Sequence, residues 1–209
     1  MTPNPAHHPI MLVRHGQTDW SRDGRYQGQS DPPLSAAGIR EAERLAETLG
    51  VAKIGVIVSS PLRRARQTAA ILMKRLGMAG IQVDPDLNEI SFGAWEGLTQ
   101  SEVKQIWPAL MRAWKRVPES VRFPGGETLD DVRVRLRRCL AAYGMRAAQT
   151  PVLLVTHATW IKLALLEHGA AGPFNFRQIQ IATGSVHSLT IHPVPMSPQT
   201  MEHLSCVSP

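Results

Sequence analysis

The 209-residue chain has only two cysteines, Cys139 and Cys206, and no CxxC spacing. Neither a disulfide framework nor a cysteine-based zinc site is supported, and a reducing compartment is expected. No uninterrupted apolar stretch approaches the roughly 18 residues that cross a bilayer. Met1 to Pro9 lacks the basic n-region and the long apolar h-region of a signal peptide. These absences predict a cytoplasmic protein with no membrane partner.

The basic side chains are in excess, but they do not form a continuous run. The net charge is +6 and the isoelectric point about 9.9. The densest basic group, Arg133, Arg135, Arg137 and Arg138, falls in an amphipathic helical pattern and is predicted to be a solvated face. Nucleic-acid binding calls for a clustered basic stripe. We therefore expect no nucleic-acid partner, and a small anionic substrate explains the charge equally well.

Apolar runs alternate with helical patterns along the chain. The runs predict buried strands at 10–14, 54–59 and 152–156, an edge strand at 81–83, and two late strands at 178–182 and 186–192. Helices are predicted after the Ser35 cap, after the Ser60-Pro61 cap, over 99–114 with a break at Pro108, after the Thr128–Asp131 capping box, and over 159–168. This alternation predicts an α/β fold, a three-layer sandwich with a mostly parallel central sheet and helices on both faces.

No internal repeat and no linker divides the chain, so a single domain over residues 1–209 is predicted. Residues 1–9 are expected to be a flexible tail. Residues 193–209 contain four prolines and are expected to be an irregular C-terminal tail. Residues 98–126 are expected to form a cap that selects the substrate.

Basic residues follow each of the three predicted buried strands. The first strand runs into Arg14 and His15, the second leads to Arg64, and the third ends at His157. The carboxyl ends of parallel strands meet at one edge of a sheet, so these side chains are expected to converge there. Arginine matches the oxygens of a phosphate group. One histidine can then attack phosphorus while the other donates a hydrogen bond to the phosphoryl oxygens.

Two further features complete this predicted site. Gly16 lets a backbone N–H approach a ligand closely. The leaving oxygen needs a proton, and a buried glutamate is a suitable donor. The candidates are Glu89 and Glu96, and residue chemistry alone does not choose between them.

Several motifs, in order, resemble those of the histidine phosphatase superfamily, also called phosphoglycerate-mutase-like. The first is Arg14-His15-Gly16-Gln17-Thr18. The others are the Gly28–Gly38 stretch with Asp31, Pro33, Leu34 and Ser35, the helix start from Ser60 to Thr68, the Leu87–Gly97 segment, the loop from Pro124 to Thr128, and Val155-Thr156-His157. Together they extend over roughly residues 10–192, and the ordered set is far more specific than any one motif.

The resemblance implies a role for each residue of the predicted site. His15 would be the phosphorylated nucleophile and Glu89 the proton donor. Arg14, Arg64 and His157 would complete the phosphate pocket. The family's chemistry needs no metal and no other cofactor, in line with the absence of a ligand cluster in the sequence.

The chain departs from the family's pattern at two places. Ser21 stands six residues after His15, where the family usually has asparagine. Its shorter side chain is included among the phosphate-binding candidates. Ala158 and Thr159 stand where the family usually has two glycines. Their side chains would narrow the pocket, or Thr159 would add a hydrogen-bond donor.

The family includes mutases and phosphatases, which differ in the acceptor of the phosphoryl group. The short route from Glu89 to the loop at 124–128 resembles α-ribazole and broad-specificity phosphatases. The resemblance therefore implies a phosphomonoester hydrolase that acts through a phosphohistidine on a small phosphorylated metabolite. Mutase-type phosphoryl transfer is the alternative. A non-catalytic binding module would lack the nucleophile or the acid, and both are present. A homodimer is suggested by analogy alone.

Overall fold

The computed structural model describes residues 8–50, 53–168 and 176–190, which are built around a five-stranded sheet. The strands are β1 (Ile10–Arg14), β2 (Val56–Ser59), β3 (Gln82–Val83), β4 (Val152–Thr156) and β5 (Val186–Leu189). Their order across the sheet is β3-β2-β4-β1-β5. The first four strands pair in parallel, and β5 is antiparallel to β1. The prediction of a mostly parallel sheet is confirmed.

Helices cover both faces of the sheet. They are α1 (Asp19–Arg22), α2 (Ala36–Leu49), α3 (Arg63–Arg75), α4 (Gln100–Ile106), α5 (Pro108–Arg116), α6 (Leu129–Ala147) and α7 (Ala158–His168). One core cluster joins α2 and α3 to the sheet, and the other joins α6 and α7 to its opposite face. All five residues of β4 are buried, since a strand covered on both sides needs apolar side chains in both directions. The three-layer prediction is confirmed.

The predicted cap region contains two helices and a single 3-10 turn. Helix α4 begins at a Thr99 capping box, and α5 begins at Pro108, where the break was predicted. A 3-10 turn at Pro118–Ser120 follows. Within the part of the chain described, no helix has both the length and the apolar character to cross a bilayer.

Three sequence predictions differ from the structure. The expected strand at 178–182 is wrong, since residues 176–178 form a turn and the following residues are irregular. Ile181 is buried there, and its carbonyl accepts from the Arg14 side chain instead of a strand partner. The second strand starts at Val56 rather than at residue 54. The last strand, predicted at 186–192, ends at Leu189. The predicted tails and residues 191–192 fall almost entirely outside the described residues.

Candidate active site

His15 and His157 lie side by side at the carboxyl edge of the sheet. The adjacent strands β1 and β4 are parallel, and Arg14 pairs with Thr156 in their register, so the next residue of each strand is a histidine. The two ring centroids are 5.1 Å apart. Both side chains are buried. The predicted convergence of strand ends therefore takes place.

His15 is held in one tautomer by its two neighbours. Its Nδ1–H donates to the carbonyl of Gly16 at 2.8 Å. Its Nε2 accepts from Arg64 Nε at 3.2 Å, so this nitrogen carries the lone pair. Burial, and then the charges of Arg64 and Arg14, lower the pKa of His15 well below its ordinary value. The imidazole is thus neutral at neutral pH, which is the form that a nitrogen nucleophile requires.

Arg64 is completely buried and is anchored by main-chain carbonyls. Its Nη1 donates to Ser30 and its Nη2 to Gly28, each at 2.7 Å. Gly28 has a φ of +53°, and a Cβ there would lie 2.0 Å from a carboxylate oxygen of Glu96, so only glycine fits. Burial lowers the pKa of Arg64 to about 10, with Glu89 acting in the opposite direction. The guanidinium therefore stays charged at neutral pH and faces the nucleophile.

His157 is oriented by a serine that sequence patterns predicted as a helix cap. That prediction is wrong, because α3 begins at Arg63 and has no side-chain cap. Ser60 Oγ instead donates to Asn88 Oδ1 at 2.8 Å and lies 2.9 Å from His157 Nε2. Its oxygen can accept the Nε2–H of His157, which leaves the lone pair on Nδ1. Burial and the charge of Arg64 lower the pKa of His157 well below its ordinary value.

Arg14 and His157 each leave a polar atom unpartnered in this edge of the sheet. Within the described ranges, neither Arg14 Nε nor His157 Nδ1 has a hydrogen-bond partner, although both atoms are buried. The other end of the Arg14 guanidinium is fixed by a 2.6 Å bond from Nη1 to the carbonyl of Ile181. Unpartnered buried polar groups are uncommon in folded proteins. An acceptor oxygen of a ligand would satisfy Arg14 Nε, and a protonated oxygen would satisfy the lone pair of His157 Nδ1.

The two candidate glutamates occupy different surroundings. Glu89 is buried, and its carboxylate accepts from the N–H of Ile90 at 2.9 Å and of Thr159 at 3.3 Å. Its partner Thr159 lies two residues after His157, and the charge of Glu89 raises the pKa values of both Arg14 and Arg64. Glu96 instead accepts from the main-chain N–H groups of Gln29, Ser30 and Phe92. The geometry thus favours Glu89 for acid–base chemistry and gives Glu96 a structural part.

Arg135 contacts the main chain at Glu89, so the prediction that it is solvated is wrong, whereas Arg137 and Arg138 of the same predicted face are exposed. Arg135 is only 8% exposed. Its guanidinium donates to the carbonyls of Asn88 and Glu89 and pairs with Glu127 at 3.1 Å. A signal in the sequence could have identified it, since Arg135 lies three residues from Val132 and one from Leu136, beside the apolar stripe of α6.

Two weaker candidates have protein partners. The hydroxyl of Ser21 closes the capping box of α1, donating to the carbonyl of Thr18 and accepting from its N–H. The N–H of Gly16 donates to Thr68 Oγ1 at 3.1 Å. A Cβ at Gly16 would lie 2.4 Å from the carbonyl oxygen of Gly38, so this glycine permits a close backbone approach. Contacts of Ser21 and Gly16 with phosphate remain predictions.

The described residues contain no group of three or more His, Cys, Asp or Glu side chains that could hold a metal ion. The ionisable groups that the structure brings together here are the imidazoles of His15 and His157, the guanidinium groups of Arg14 and Arg64, and Glu89. Two arginines are placed to neutralise an anion that His15 Nε2 approaches.

Stability is expected to fall with pH below about 6.5 because of the two buried histidines. Their pKa values are lowered in the folded state, so only the unfolded chain takes up protons as the pH falls through the ordinary histidine range. The free energy of unfolding should decrease by about 1.4 kcal/mol per pH unit for each such histidine. Urea unfolding at pH 7.5 and 5.5 measures it. The slope should be shallower in His15→Gln, and equal stability of the wild type at both pH values would contradict the prediction.

Known proteins resemble this chain in sequence and in fold. The bifunctional protein Rv2228c of Mycobacterium tuberculosis is 41% identical over 160 residues, which are 75% of this chain and 43% of that protein. The chain thus spans less than half the length of the first curated relatives that it matches.

Two solved structures extend the likeness. Mycobacterial glucosyl-3-phosphoglycerate phosphatase Rv2419c has a TM-score of 0.80 and 32% identity, covering 88% of this chain and 92% of that one. The α-ribazole phosphatase from Shigella flexneri has a TM-score of 0.77 over 88% of this chain and 91% of that one, and its 24% identity makes this a likeness of fold. The family model of the histidine phosphatase superfamily (branch 1) matches residues 10–201. The chain belongs to the histidine phosphatase superfamily.

Proposed function

We propose that this chain is a phosphomonoester hydrolase that acts through a phosphohistidine on His15, with a small phosphorylated metabolite as substrate. The observation that carries the proposal is the state of the His15 ring. Burial lowers its pKa, its Nε2 accepts from Arg64 Nε, and Arg14 and His157 each have a buried polar atom with no partner among the described residues. This arrangement suits a phosphoryl group whose oxygens form hydrogen bonds with Arg14 and His157 while its phosphorus lies next to His15 Nε2.

In the first step, His15 Nε2 attacks phosphorus, an N–P bond forms, and the ester P–O bond breaks. Arg64 Nε, which donates to Nε2 in the free protein, turns to a phosphoryl oxygen and so releases the lone pair. Arg14 Nε donates to another phosphoryl oxygen, and the protonated oxygen of the phosphate monoanion donates to the lone pair of His157 Nδ1. Glu89 donates a proton to the departing alcohol.

In the second step, water attacks the phosphohistidine. Glu89, now a carboxylate, accepts a proton from the water as the new P–O bond forms. The N–P bond breaks, its electron pair returns to His15 Nε2, and inorganic phosphate leaves. The Gly16 carbonyl keeps the proton on Nδ1 throughout, so the same nitrogen is restored for the next turnover.

The similarity to a glucosyl-3-phosphoglycerate phosphatase supports a hydrolase whose substrate is a phosphorylated metabolite. We retain α-ribazole phosphate, or a broad range of esters, as the proposed substrate. Mutase-type transfer to a second hydroxyl is the competing reaction, because it uses the same first step.

Turnover in water enriched in oxygen-18 separates the two reactions. A hydrolase is expected to release inorganic phosphate that contains one solvent oxygen, since water is the acceptor in the second step. α-Ribazole phosphate, phosphoglycerates, sugar phosphates and nucleotides are compared, each with and without a bisphosphate cofactor. Isomerised phosphoglycerate without release of phosphate would favour the mutase. Unchanged esters throughout the panel would reject both reactions.

A further inference from the structure

A small cavity lies between Trp114 of α5 and Lys162 of α7. Its volume is about 150 Å³, and its walls are Trp114 of α5, Lys162 of α7, and Phe176, Arg177 and Gln180. Aromatic rings form two of these walls, whereas the other three side chains end in amino, guanidinium or amide groups. Such a space accepts a compact polar group that is larger than a water molecule.

Two hydrogen bonds connect neighbours of the cavity-lining residues to Glu89 and Arg14. The main-chain N–H of Thr159, at the start of α7, donates to Glu89, and Lys162 lies three residues further along the same helix. On the opposite wall, Arg14 donates to the carbonyl of Ile181, the neighbour of Gln180. A substrate that places its phosphoryl group at His15 would therefore extend its alcohol part toward Lys162.

The ammonium group of Lys162 is half-buried and has no carboxylate partner. Across residues 8–50, 53–168 and 176–190, no acidic side chain forms a salt bridge with it. Its Nζ lies 5.0 Å from the ring centroid of Phe176. Burial lowers the pKa of Lys162, while the charge of Glu89 raises it and those of Arg14 and Arg177 lower it. Positive charge thus gathers in a confined space, which favours an anion.

We propose that Lys162 binds a second anionic group of the substrate, a carboxylate or a phosphate carried by the alcohol part, within this cavity. The inference rests on the proposed function and adds a substrate class to it, namely phosphomonoesters with two anionic ends. Lys162 lies on a helix that also positions Glu89, and Trp114 comes from the cap.

Matched substrates test this subsite in wild type and in Lys162→Met. The carboxylate pair is 3-phosphoglycerate and glycerol 3-phosphate, and the phosphate pair is fructose 1,6-bisphosphate and fructose 6-phosphate. The ratio of kcat/KM within a pair should fall roughly 10- to 100-fold in the variant, as expected for loss of one charge-assisted contact. The substrate pair whose kcat/KM ratio falls in Lys162→Met shows whether the second anion is a carboxylate or a phosphate. Lys162→Arg should keep most of the preference, and the exposed control Lys104→Met should behave as wild type.

p-Nitrophenyl phosphate, which carries no second anion, separates failure of the subsite from failure of the proposed function. Its kcat/KM should change less than about threefold in Lys162→Met. Unchanged ratios in both substrate pairs, or an equal loss on every substrate including p-nitrophenyl phosphate, would overturn the subsite alone. A wild-type protein that does not hydrolyse p-nitrophenyl phosphate would overturn the proposed function and the subsite with it.

Discussion

Replacement of His15 by alanine is expected to reduce turnover by at least about 10,000-fold, as removal of a covalent nucleophile does in other enzymes. No neighbouring group can substitute for it. The ring of His157 is close, but its Nε2 is engaged with Ser60 Oγ at 2.9 Å, and in the proposed mechanism its Nδ1 binds a phosphoryl oxygen. Arg14 and Arg64 are cations and have no lone pair to offer. The variant should still fold, since the ring sits at a strand end rather than within the apolar clusters.

Trapping of the covalent intermediate provides the direct measurement for this prediction. Wild-type protein mixed with a ³²P-labelled ester and denatured in alkali should carry a label that acid removes, as expected of an N–P bond. His15→Ala should carry none. His187→Ala is the control, because His187 is half-buried in β5 and contacts Ser185 rather than the site. A label that persists in His15→Ala would assign the nucleophile elsewhere.

Replacement of Glu89 by glutamine is expected to slow the hydrolysis of alkyl phosphates by roughly 100- to 10,000-fold, the usual contribution of a positioned acid. The loss on p-nitrophenyl phosphate should be much smaller, because nitrophenolate departs without a proton. Glutamine keeps one carbonyl oxygen for the N–H of Ile90, so the local fold should be preserved. The effect would then report on proton donation rather than on a displaced main chain.

A series of esters with different leaving-group acidity measures this dependence. In wild type, kcat/KM should depend weakly on the leaving group, and in Glu89→Gln the dependence should become steep. Glu96→Gln serves as the control, since Glu96 binds main-chain N–H groups near Gln29 and Ser30. That variant should lose stability while its dependence on the leaving group stays weak. Equal losses for Glu89→Gln on alkyl and nitrophenyl esters would contradict the general-acid role.

The placement of the two histidines could be predicted because it follows from local pattern. Apolar runs define β1 and β4, and a parallel sheet brings the carboxyl ends of its strands to one edge. The strand predicted at 178–182 failed for a related reason. Ile179 and Ile181 alternate as strand residues do, but Ile181 is buried with its carbonyl bound to Arg14. Apolar residues at alternate positions indicate that those side chains are buried, and a side chain can be buried in a segment that pairs with no neighbouring strand.

Residues that act through long-range contacts were beyond the reach of sequence pattern. Ser60 was predicted as a helix cap, yet it holds His157, which lies 97 positions away in the chain. Arg135 was predicted to be solvated, yet it supports the main chain at Glu89. A helix cap is a sound prediction for Ser60, and a solvated face is a sound prediction for Arg135, when only the neighbouring residues are known. The packing of distant segments shows which groups these side chains contact instead.

The sequence by itself determined the α/β architecture, the edge of the sheet at which the site lies, and the candidate nucleophile, because periodicity and strand ends are local properties of a chain. Tertiary structure decided which glutamate lies near Arg14 and Arg64, which tautomer His15 adopts, and that Lys162 lines a cavity. These depend on distances between atoms of separate elements. Hydrogen bonding and electrostatic interaction act through space, so side chains far apart in the sequence acquire a common chemistry only once the layers have packed.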